Sequence, residues 1–239
     1  ACTQRQERLK LMSYNIRNGI GIDNIQDIDR IARVILREAP DLVALQELDS
    51  ATLRVDGRYI PGELGRMTGM HATFGRAIGF AGGSYGVGLL SRTEPLAVRS
   101  TPLPGREEAR VLLMAEFPDY TVCITHLSLT PEDRLASLPI IREATDTCRK
   151  PVLLAGDFNT GDAAAVLAGL GGGFRILSDT TRMTFPSDNP AVRIDYILGR
   201  GLPTSATVTE SAVDHTATAS DHCPLWVTLA WKRGKQPGK

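Results

Sequence analysis

Charged and amide side chains recur in this sequence where short apolar runs come to an end. The polar residues that close these runs are Asn15, Glu47, His126, Asp157 and Asn159. Asp195 lies within a later apolar run, and the pair Asp221-His222 stands directly before the last one. Strand ends commonly carry functional groups to the mouth of a sheet scaffold. One polar residue at a strand end needs no function, but a series drawn only from Asp, Glu, Asn and His indicates a shared site.

The oxygen donors in this set suit a hard divalent cation. Glu47 and Asp221 offer carboxylate oxygens, and Asn15 and Asn159 offer amide oxygens. Such groups favour Mg²⁺, Mn²⁺ or Ca²⁺, whereas zinc favours Cys and His ligands, and no such spacing occurs in the chain. We therefore predict Mg²⁺ as the cofactor, with Mn²⁺ or Ca²⁺ as alternatives.

The nitrogen donors suit a phosphoryl group. His126, His222 and Arg110 can stabilise negative charge on phosphoryl oxygens. Asp157 is then left to take a proton from water. Because Mg²⁺ usually fills part of its coordination shell with water and substrate phosphate, the combined set predicts metal-dependent hydrolysis of a phosphate ester.

Six short segments resemble, in the same order, the signature of the endonuclease/exonuclease/phosphatase superfamily. They are SYNIR at 13–17, QE at 46–47, THL at 125–127, GDFN at 156–159, RIDYI at 193–197 and SDH at 220–222. The superfamily includes deoxyribonuclease I, the exonuclease III-type abasic-site endonucleases, neutral sphingomyelinases and inositol polyphosphate 5-phosphatases. The matches span nearly the whole chain, so the resemblance implies one deoxyribonuclease I-like domain.

The resemblance implies roles for the residues around the metal and the attacking water. Glu47 corresponds to the principal metal ligand, with Asn15 and Asp221 beside it. Asp157 would orient or deprotonate the water. Asn159 would bind a phosphate oxygen or position the water.

The resemblance also implies groups at the scissile phosphate. His222 would act there, with Asp195 hydrogen-bonded behind it to fix its tautomer and favour its protonated form. His126 would be a second phosphate-contacting histidine, as in the deoxyribonuclease I and sphingomyelinase branches. Arg110 and Tyr85 match an arginine and a tyrosine with which several members contact the phosphate. For Tyr85, a glycine-flanked aromatic in a turn is the alternative.

Alternating strand-like and helix-like segments must position these residues. Apolar runs predict strands at 9–16, 41–48, 71–77, 86–91, 96–100, 110–117, 120–127, 151–155, 193–198, 206–209 and 224–231. Helical spacing predicts helices at 24–38 with Asn24 as N-cap, and at 62–70, 131–149 and 162–170; Pro139 should kink or break the third. This order predicts an α/β fold, a four-layer α/β/β/α sandwich of two sheets packed face to face with outer helices. The resemblance implies that both sheets are mainly antiparallel.

Charge and composition narrow the choice of substrate. The 239 residues contain 27 Lys and Arg against 27 Asp and Glu, and 5% are aromatic. A protein that coats nucleic acid needs basic excess and stacking platforms, so a small or lipid-headgroup phosphodiester or phosphomonoester is the favoured substrate class. The alternative is an endonuclease or exonuclease acting on DNA or RNA, with a groove lined by Arg17, Arg54, Arg58 and Arg76.

The ends of the chain carry separate predictions. Residues 1–8 are predicted to be a flexible segment, 9–231 the single catalytic domain and 232–239 a basic tail. Cys2 follows a small residue and precedes a polar stretch, which resembles a processed bacterial lipoprotein. An extracytoplasmic protein attached to a membrane through lipidated Cys2 is therefore predicted, with a cytoplasmic protein as the alternative. We expect a monomer.

Overall fold

Two β-sheets form the centre of the fold in a computed structural model that describes residues 6–232. The described strands are β1 (Gln6–Asn15), β2 (Leu42–Ser50), β3 (His71–Phe80), β4 (Gly83–Ser91), β5 (Ala97–Leu103), β6 (Arg110–Glu116), β7 (Thr121–His126), β8 (Val152–Asp157), β9 (Arg175–Ile176), β10 (Asp195–Arg200), β11 (Thr207–Val213) and β12 (Leu225–Lys232). The described α-helices are α1 (Ile28–Glu38), α2 (Ile60–Thr68), α3 (Pro131–Asp146) and α4 (Ala163–Leu170), and short 3-10 helices lie at Arg17–Gly19 and Leu53–Val55. Cys2 and residues 233–239 of the predicted tail lie outside the described residues.

Each sheet has six strands in the described part of the chain, and most neighbouring strands run antiparallel. The first sheet has the order β11-β12-β1-β2-β4-β3, and the second has the order β5-β6-β7-β8-β10-β9. Within residues 6–232, the parallel pairs are β1 with β2 and β7 with β8. The prediction of two mainly antiparallel sheets is confirmed.

The two parallel pairs lie inside their sheets and place functional strand ends at one edge of the sandwich. Asn15, the last residue of β1, is in register with Gln46 of β2. His126, the last residue of β7, is in register with Asp157, the last residue of β8. Asp195, the first residue of the antiparallel strand β10, is in turn in register with Asp157. Residues that are far apart in the chain therefore meet because their strands end or begin at the same edge.

Apolar side chains on both faces of the sheets produce the four layers. In β1, Leu11 belongs to the core between the sheets, whereas Met12 belongs to the core beneath α1 and α2. In β8, Leu153 and Leu154 divide in the same way between the central core and the core beneath α3 and α4. Successive strand residues point to opposite faces, so strands buried on both sides read as continuous apolar runs. The layer order helix, sheet, sheet, helix confirms the predicted sandwich.

Two helices differ from the predictions in an informative way. The residue that caps α1 is Asp27 rather than Asn24, because the Asp27 carboxylate accepts the Arg30 N–H at 3.3 Å. The third helix, α3, is not broken at Pro139, and it ends at Asp146. Leu138 and Ile141 on either side of this proline are buried against the second sheet. That packing offsets the hydrogen bond that proline cannot donate.

The first strand begins earlier than predicted. Gln6, Glu7 and Arg8 pair with Lys232, Trp231 and Ala230 in antiparallel register. Strand β1 thus takes in residues 6–8 of the segment expected to be flexible, and β12 takes in the first residue of the expected tail. The reason is that backbone pairing with a neighbouring strand does not require apolar side chains.

Candidate active site

Glu47 is aimed by an irregularity within β2. The register between β2 and β4 shifts between Leu45 and Leu48, and Glu47 has a φ of 54° there. A bulge inserts an extra residue and redirects its side chain, and a left-handed non-glycine residue costs on the order of 1–3 kcal/mol. The Glu47 carboxylate reaches Asn15 of the neighbouring strand as a result, with Oε1 3.0 Å from the Asn15 Nδ2.

Asn15 lies between two carboxylates. Its Nδ2 donates to Glu47 Oε1 and to Asp157 Oδ2, both at 3.0 Å, and lies 3.4 Å from His222 Nε2. Its Oδ1 accepts the backbone N–H of Arg17 at 3.1 Å. The fully buried amide therefore connects three of the predicted site residues. Its role as a direct metal ligand stays a prediction.

Asp157 and Asn159 are held together by the tight turn that follows β8. Asp157 Oδ1 accepts the Asn159 backbone N–H at 2.9 Å, and Asn159 Nδ2 donates to the Leu127 carbonyl at 2.8 Å. Gly156 precedes them because a Cβ there would lie 2.0 Å from the Thr125 carbonyl oxygen. These bonds orient Asp157 and leave the Asn159 amide oxygen to contact water or substrate.

His222 and Asp195 form a buried pair. His222 Nδ1 lies 2.9 Å from Asp195 Oδ2, and the Thr184 hydroxyl donates to the same oxygen at 2.6 Å. Burial lowers the pKa of His222, but the Asp195, Asp157 and Asp221 carboxylates outweigh it and raise the pKa to about 10. At neutral pH the ring is therefore an imidazolium, whose Nε2 lies 3.6 Å from Asp157 Oδ2.

His126 approaches the same Asp157 oxygen as His222, but its pKa is shifted in the opposite direction. Its Nε2 is 3.5 Å from Asp157 Oδ2. Burial, assisted by Arg110 and His222, lowers the pKa of His126 to about 4 despite the opposing effect of Asp157. The two histidines thus supply one neutral and one cationic ring around a single carboxylate.

Arg110, Tyr85 and His126 line one cleft, together with Glu108. The buried Arg110 guanidinium donates to Glu108 Oε1 at 3.0 Å and to Glu107 Oε1 at 3.3 Å. Burial and the nearby Glu47 and Glu108 raise the pKa of Tyr85 above its ordinary value. The phenol therefore keeps its proton and can donate a hydrogen bond to an anion.

Asp221 lies at the outer part of the site. Its Oδ2 is 3.5 Å from Arg17 Nε, and its side chain is 32% exposed. The position of the SDH segment is set by Ser220, whose hydroxyl donates to the Asn15 backbone carbonyl at 2.7 Å. Asp221 is close enough to Glu47 to affect its titration, although no direct hydrogen bond joins them.

The arrangement of carboxylates fits a divalent cation. Burial, together with Asp157 and Asp221, raises the pKa of Glu47 although Asn15 donates to it. This mutual repulsion is what a bound cation would relieve. Ligand atoms of Asp157, Asp195 and His222 also lie within 4.8 Å of one another. Asp195 and His222 already hold each other at 2.9 Å, and Thr184 donates to the same Asp195 oxygen, so the side of the cluster that holds Glu47 suits the cation better.

Three supporting contacts were not predicted from the sequence. Thr184 holds Asp195, Glu107 and Glu108 hold Arg110, and Arg17 pairs with Asp221. Glu107 and Glu108 adjoin Arg110 in the chain, so an acidic pair beside a predicted phosphate-binding arginine was a usable signal. Thr184 lies in a loop rich in polar residues, and nothing in the sequence distinguishes it from its neighbours.

Fold and site together define a class of protein. A four-layer sandwich with an Asp–His pair, a second histidine and buried carboxylates at one sheet edge is typical of metal-dependent hydrolases of phosphate esters. The sequence profile of the endonuclease/exonuclease/phosphatase family matches residues 12–222, and the chain belongs to this family. Family members hydrolyse phosphate esters.

Solved structures share the fold at low sequence identity. An endonuclease/exonuclease/phosphatase from Beutenbergia cavernae aligns with a TM-score of 0.74 at 24% identity over 94% of this chain and 72% of its own. A mannosyl-6-phosphatase from Bacteroides thetaiotaomicron gives 0.70 at 19% identity over 92% and 99%. D. rerio TDP2 complexed with a single-strand DNA product gives 0.68 at 22% identity over 93% and 99%. A search of curated proteins finds no match.

Proposed function

We propose that the protein is a Mg²⁺-dependent phosphoesterase that acts on small or lipid-headgroup phosphate esters. The observation that carries this proposal is the direct contact of Asn15 with Glu47, Asp157 and His222, residues from the two sheets and from the loop before the last strand. No structural requirement of the sandwich calls for a buried carboxylate cluster, which costs free energy unless it is compensated.

In this mechanism Asp157 takes the proton of the attacking water. Its Oδ1 is held by the Asn159 backbone and its Oδ2 by Asn15, so the carboxylate is oriented before substrate binds. The His222 imidazolium donates from Nε2 to a phosphoryl oxygen, while Asp195 holds Nδ1. Tyr85, Arg110 and the neutral His126 contact the remaining oxygens.

Glu47 would hold the cation, with Asp221 and Asn15 as the further ligand candidates. When bound, the cation supplies Lewis-acid stabilisation of the charge that builds up on phosphoryl and leaving-group oxygens. Mg²⁺ suits a site with few protein carboxylates, because it keeps several waters and accepts substrate oxygens.

Exposed apolar side chains around the site support a lipid-headgroup substrate. Leu53, Phe80, Leu129, Met183 and Val192 are between 37% and 75% exposed. Leu53 begins a short 3-10 turn after β2, Phe80 ends β3 at its hairpin with β4, and the other three lie in the chain after β7 and before β10. The strand order places these segments at the edge where the functional strand ends meet. Apolar groups at such tips can enter the headgroup region of a bilayer. None of the helices described between residues 6 and 232 is long and apolar enough to cross a membrane.

A nuclease is the second candidate, supported by the neighbour that was solved with a single-strand DNA product. Three of the four arginines that would line its groove form ion pairs with carboxylates. Arg17 pairs with Asp221, Arg54 with Asp49 and Arg58 with Glu63. Paired arginines offer less net charge to a polyphosphate backbone, so these contacts favour the smaller substrates.

A substrate panel in Mg²⁺ tests the proposal. Purified protein is given bis-p-nitrophenyl phosphate, p-nitrophenyl phosphate, sphingomyelin and phosphatidate in mixed micelles, phosphoinositides, supercoiled plasmid and abasic duplex DNA. Asp157→Asn is the inactive control, and Asp29→Asn, at an exposed position of α1, is the matched control. Activity on the small or lipid esters that disappears only in Asp157→Asn is expected. Plasmid nicking with the same dependence and no ester hydrolysis would favour the nuclease.

A further inference from the structure

The cleft that contains His126, the neighbour of Asp157, also contains an acid that has no role in the proposed mechanism. Glu108 lines this cleft with Tyr85, Arg110 and His126. Its Oε1 lies 3.0 Å from Arg110 Nη1, and its side chain is 29% exposed, whereas that of Arg110 is 6% exposed. An incoming phosphate that reaches Arg110 therefore meets a carboxylate at the same place.

The neighbouring Glu107 has a different task. Its carboxylate accepts the Ser128 hydroxyl at 2.7 Å, the Leu129 N–H at 2.8 Å and the Thr130 hydroxyl at 3.2 Å. Burial opposes ionisation, but the hydrogen bonds from Ser128, from backbone N–H groups and from Arg110 lower the pKa of Glu107 to about 2. Glu107 thus ties the chain before β6 to the chain that follows His126. For Glu108, by contrast, Arg110 is the hydrogen-bond partner that the described residues provide.

We propose that Glu108 makes the site selective for phosphodiesters, which carry one negative charge, over phosphomonoesters, which carry two. This inference rests on the proposed function. Above pH 7 a monoester is largely dianionic, since its second pKa is about 6. The second charge is repelled by Glu108 in a partly buried cleft, where water screens charges weakly. A diester contacts Arg110 with a single charge and is repelled less.

The geometry also explains how Arg110 serves a monoanion. Two carboxylates share one guanidinium, so Arg110 and its two partners together bring no net positive charge to the cleft. Its N–H groups remain hydrogen-bond donors with fixed directions, because burial and both acids hold the side chain in place. The cleft thus supplies oriented donors rather than excess charge, which suits a phosphodiester.

A charge-removing variant tests the inference. At pH 8 in Mg²⁺, kcat/KM is measured for bis-p-nitrophenyl phosphate and p-nitrophenyl phosphate, and for sphingomyelin and phosphatidate in mixed micelles. Glu108→Gln is expected to raise the monoester value about tenfold relative to the diester value, because a carboxamide keeps the contact with Arg110 without the charge. Glu108→Asp keeps the charge and should keep the wild-type ratio. Glu143→Gln, at an exposed position of α3, is the matched control.

The possible outcomes distinguish a failure of the Glu108 inference from a failure of the proposed function. An unchanged diester-to-monoester ratio in Glu108→Gln, with substrates still hydrolysed, overturns the inference and leaves the proposed function standing. Loss of both activities in a folded Glu108→Gln protein also overturns it, because Glu108 would then be needed to support Arg110. If the wild-type protein hydrolyses no phosphate ester in the panel, the proposed function itself fails.

Discussion

His222 Nδ1 lies 2.9 Å from Asp195 Oδ2, and this contact crosses from the loop before the last strand to the start of β10. The pair turns Nε2 toward Asp157 Oδ2 at 3.6 Å and Asn15 Nδ2 at 3.4 Å. Because one nitrogen is held by a buried carboxylate, the ring has a fixed orientation and a raised proton affinity. A cationic donor is thereby placed next to the carboxylate that is proposed to activate water.

Replacing Asp157 with Asn should abolish turnover without unfolding the protein. The substitution keeps the size of the side chain and its contact with the Asn159 backbone but removes the proton acceptor. We expect a loss of about 10²–10³-fold in kcat, with an unchanged circular dichroism spectrum. Initial rates on the best panel substrate measure it. More than about a tenth of the wild-type rate would contradict the assigned role.

The free energy of unfolding of the metal-free protein should depend on pH through His222. Its folded-state pKa is about 10, above the ordinary value of 6.5. The stabilisation is fully present below about pH 6.5 and is lost as pH rises through 10. Urea unfolding at several pH values between 7 and 10 should show a decline. In Asp195→Asn the decline should shrink, because the main group that raises the pKa is gone; an identical decline would count against this assignment.

Replacing Glu47 with Gln should weaken metal binding and stabilise the metal-free protein. The variant loses the proposed principal ligand, so half-maximal activity should require a higher Mg²⁺ concentration. It also removes a partly buried charge that Asp157 and Asp221 repel, so unfolding of the metal-free protein should cost on the order of 1 kcal/mol more. Calorimetric Mg²⁺ titration and thermal unfolding in EDTA measure the two effects. An unchanged Mg²⁺ titration would show that Glu47 is not a metal ligand.

Replacing Thr184 with Val should destabilise the protein and disturb the Asp195–His222 pair. The Thr184 hydroxyl donates to Asp195 Oδ2 at 2.6 Å and accepts the Ile194 N–H at 3.2 Å. Valine has nearly the same shape but leaves these buried groups without their partner, which should cost about 1–3 kcal/mol of stability. The His222 ring should also titrate differently by NMR. Thr184→Ser keeps the hydroxyl and should restore both properties. If it does not, the hydroxyl is not the cause.

Much of the fold was predictable because its signals are local. Met12 and Leu11 point to opposite faces of one strand, yet both are buried, and the resulting apolar run identifies a central strand from the sequence alone. The same holds for 152–155, which ends in the GDFN turn. Local signals were less reliable where tertiary packing determines whether a helix continues. Helix α3 continues through Pro139 because Leu138 and Ile141 pack against the second sheet.

The sequence by itself determined which residue types stand at the strand ends and therefore the class of chemistry and the family. Tertiary structure alone decided how they meet: the bulge that turns Glu47 toward Asn15, the pairing of Arg110 with Glu108, and the support of Asp195 by Thr184. The physical reason is the distance along the chain over which each kind of interaction acts. Hydrophobic periodicity and turn chemistry act between neighbours in the chain, whereas charge states and hydrogen-bond partners in a buried site depend on groups that only the packed sheets bring together.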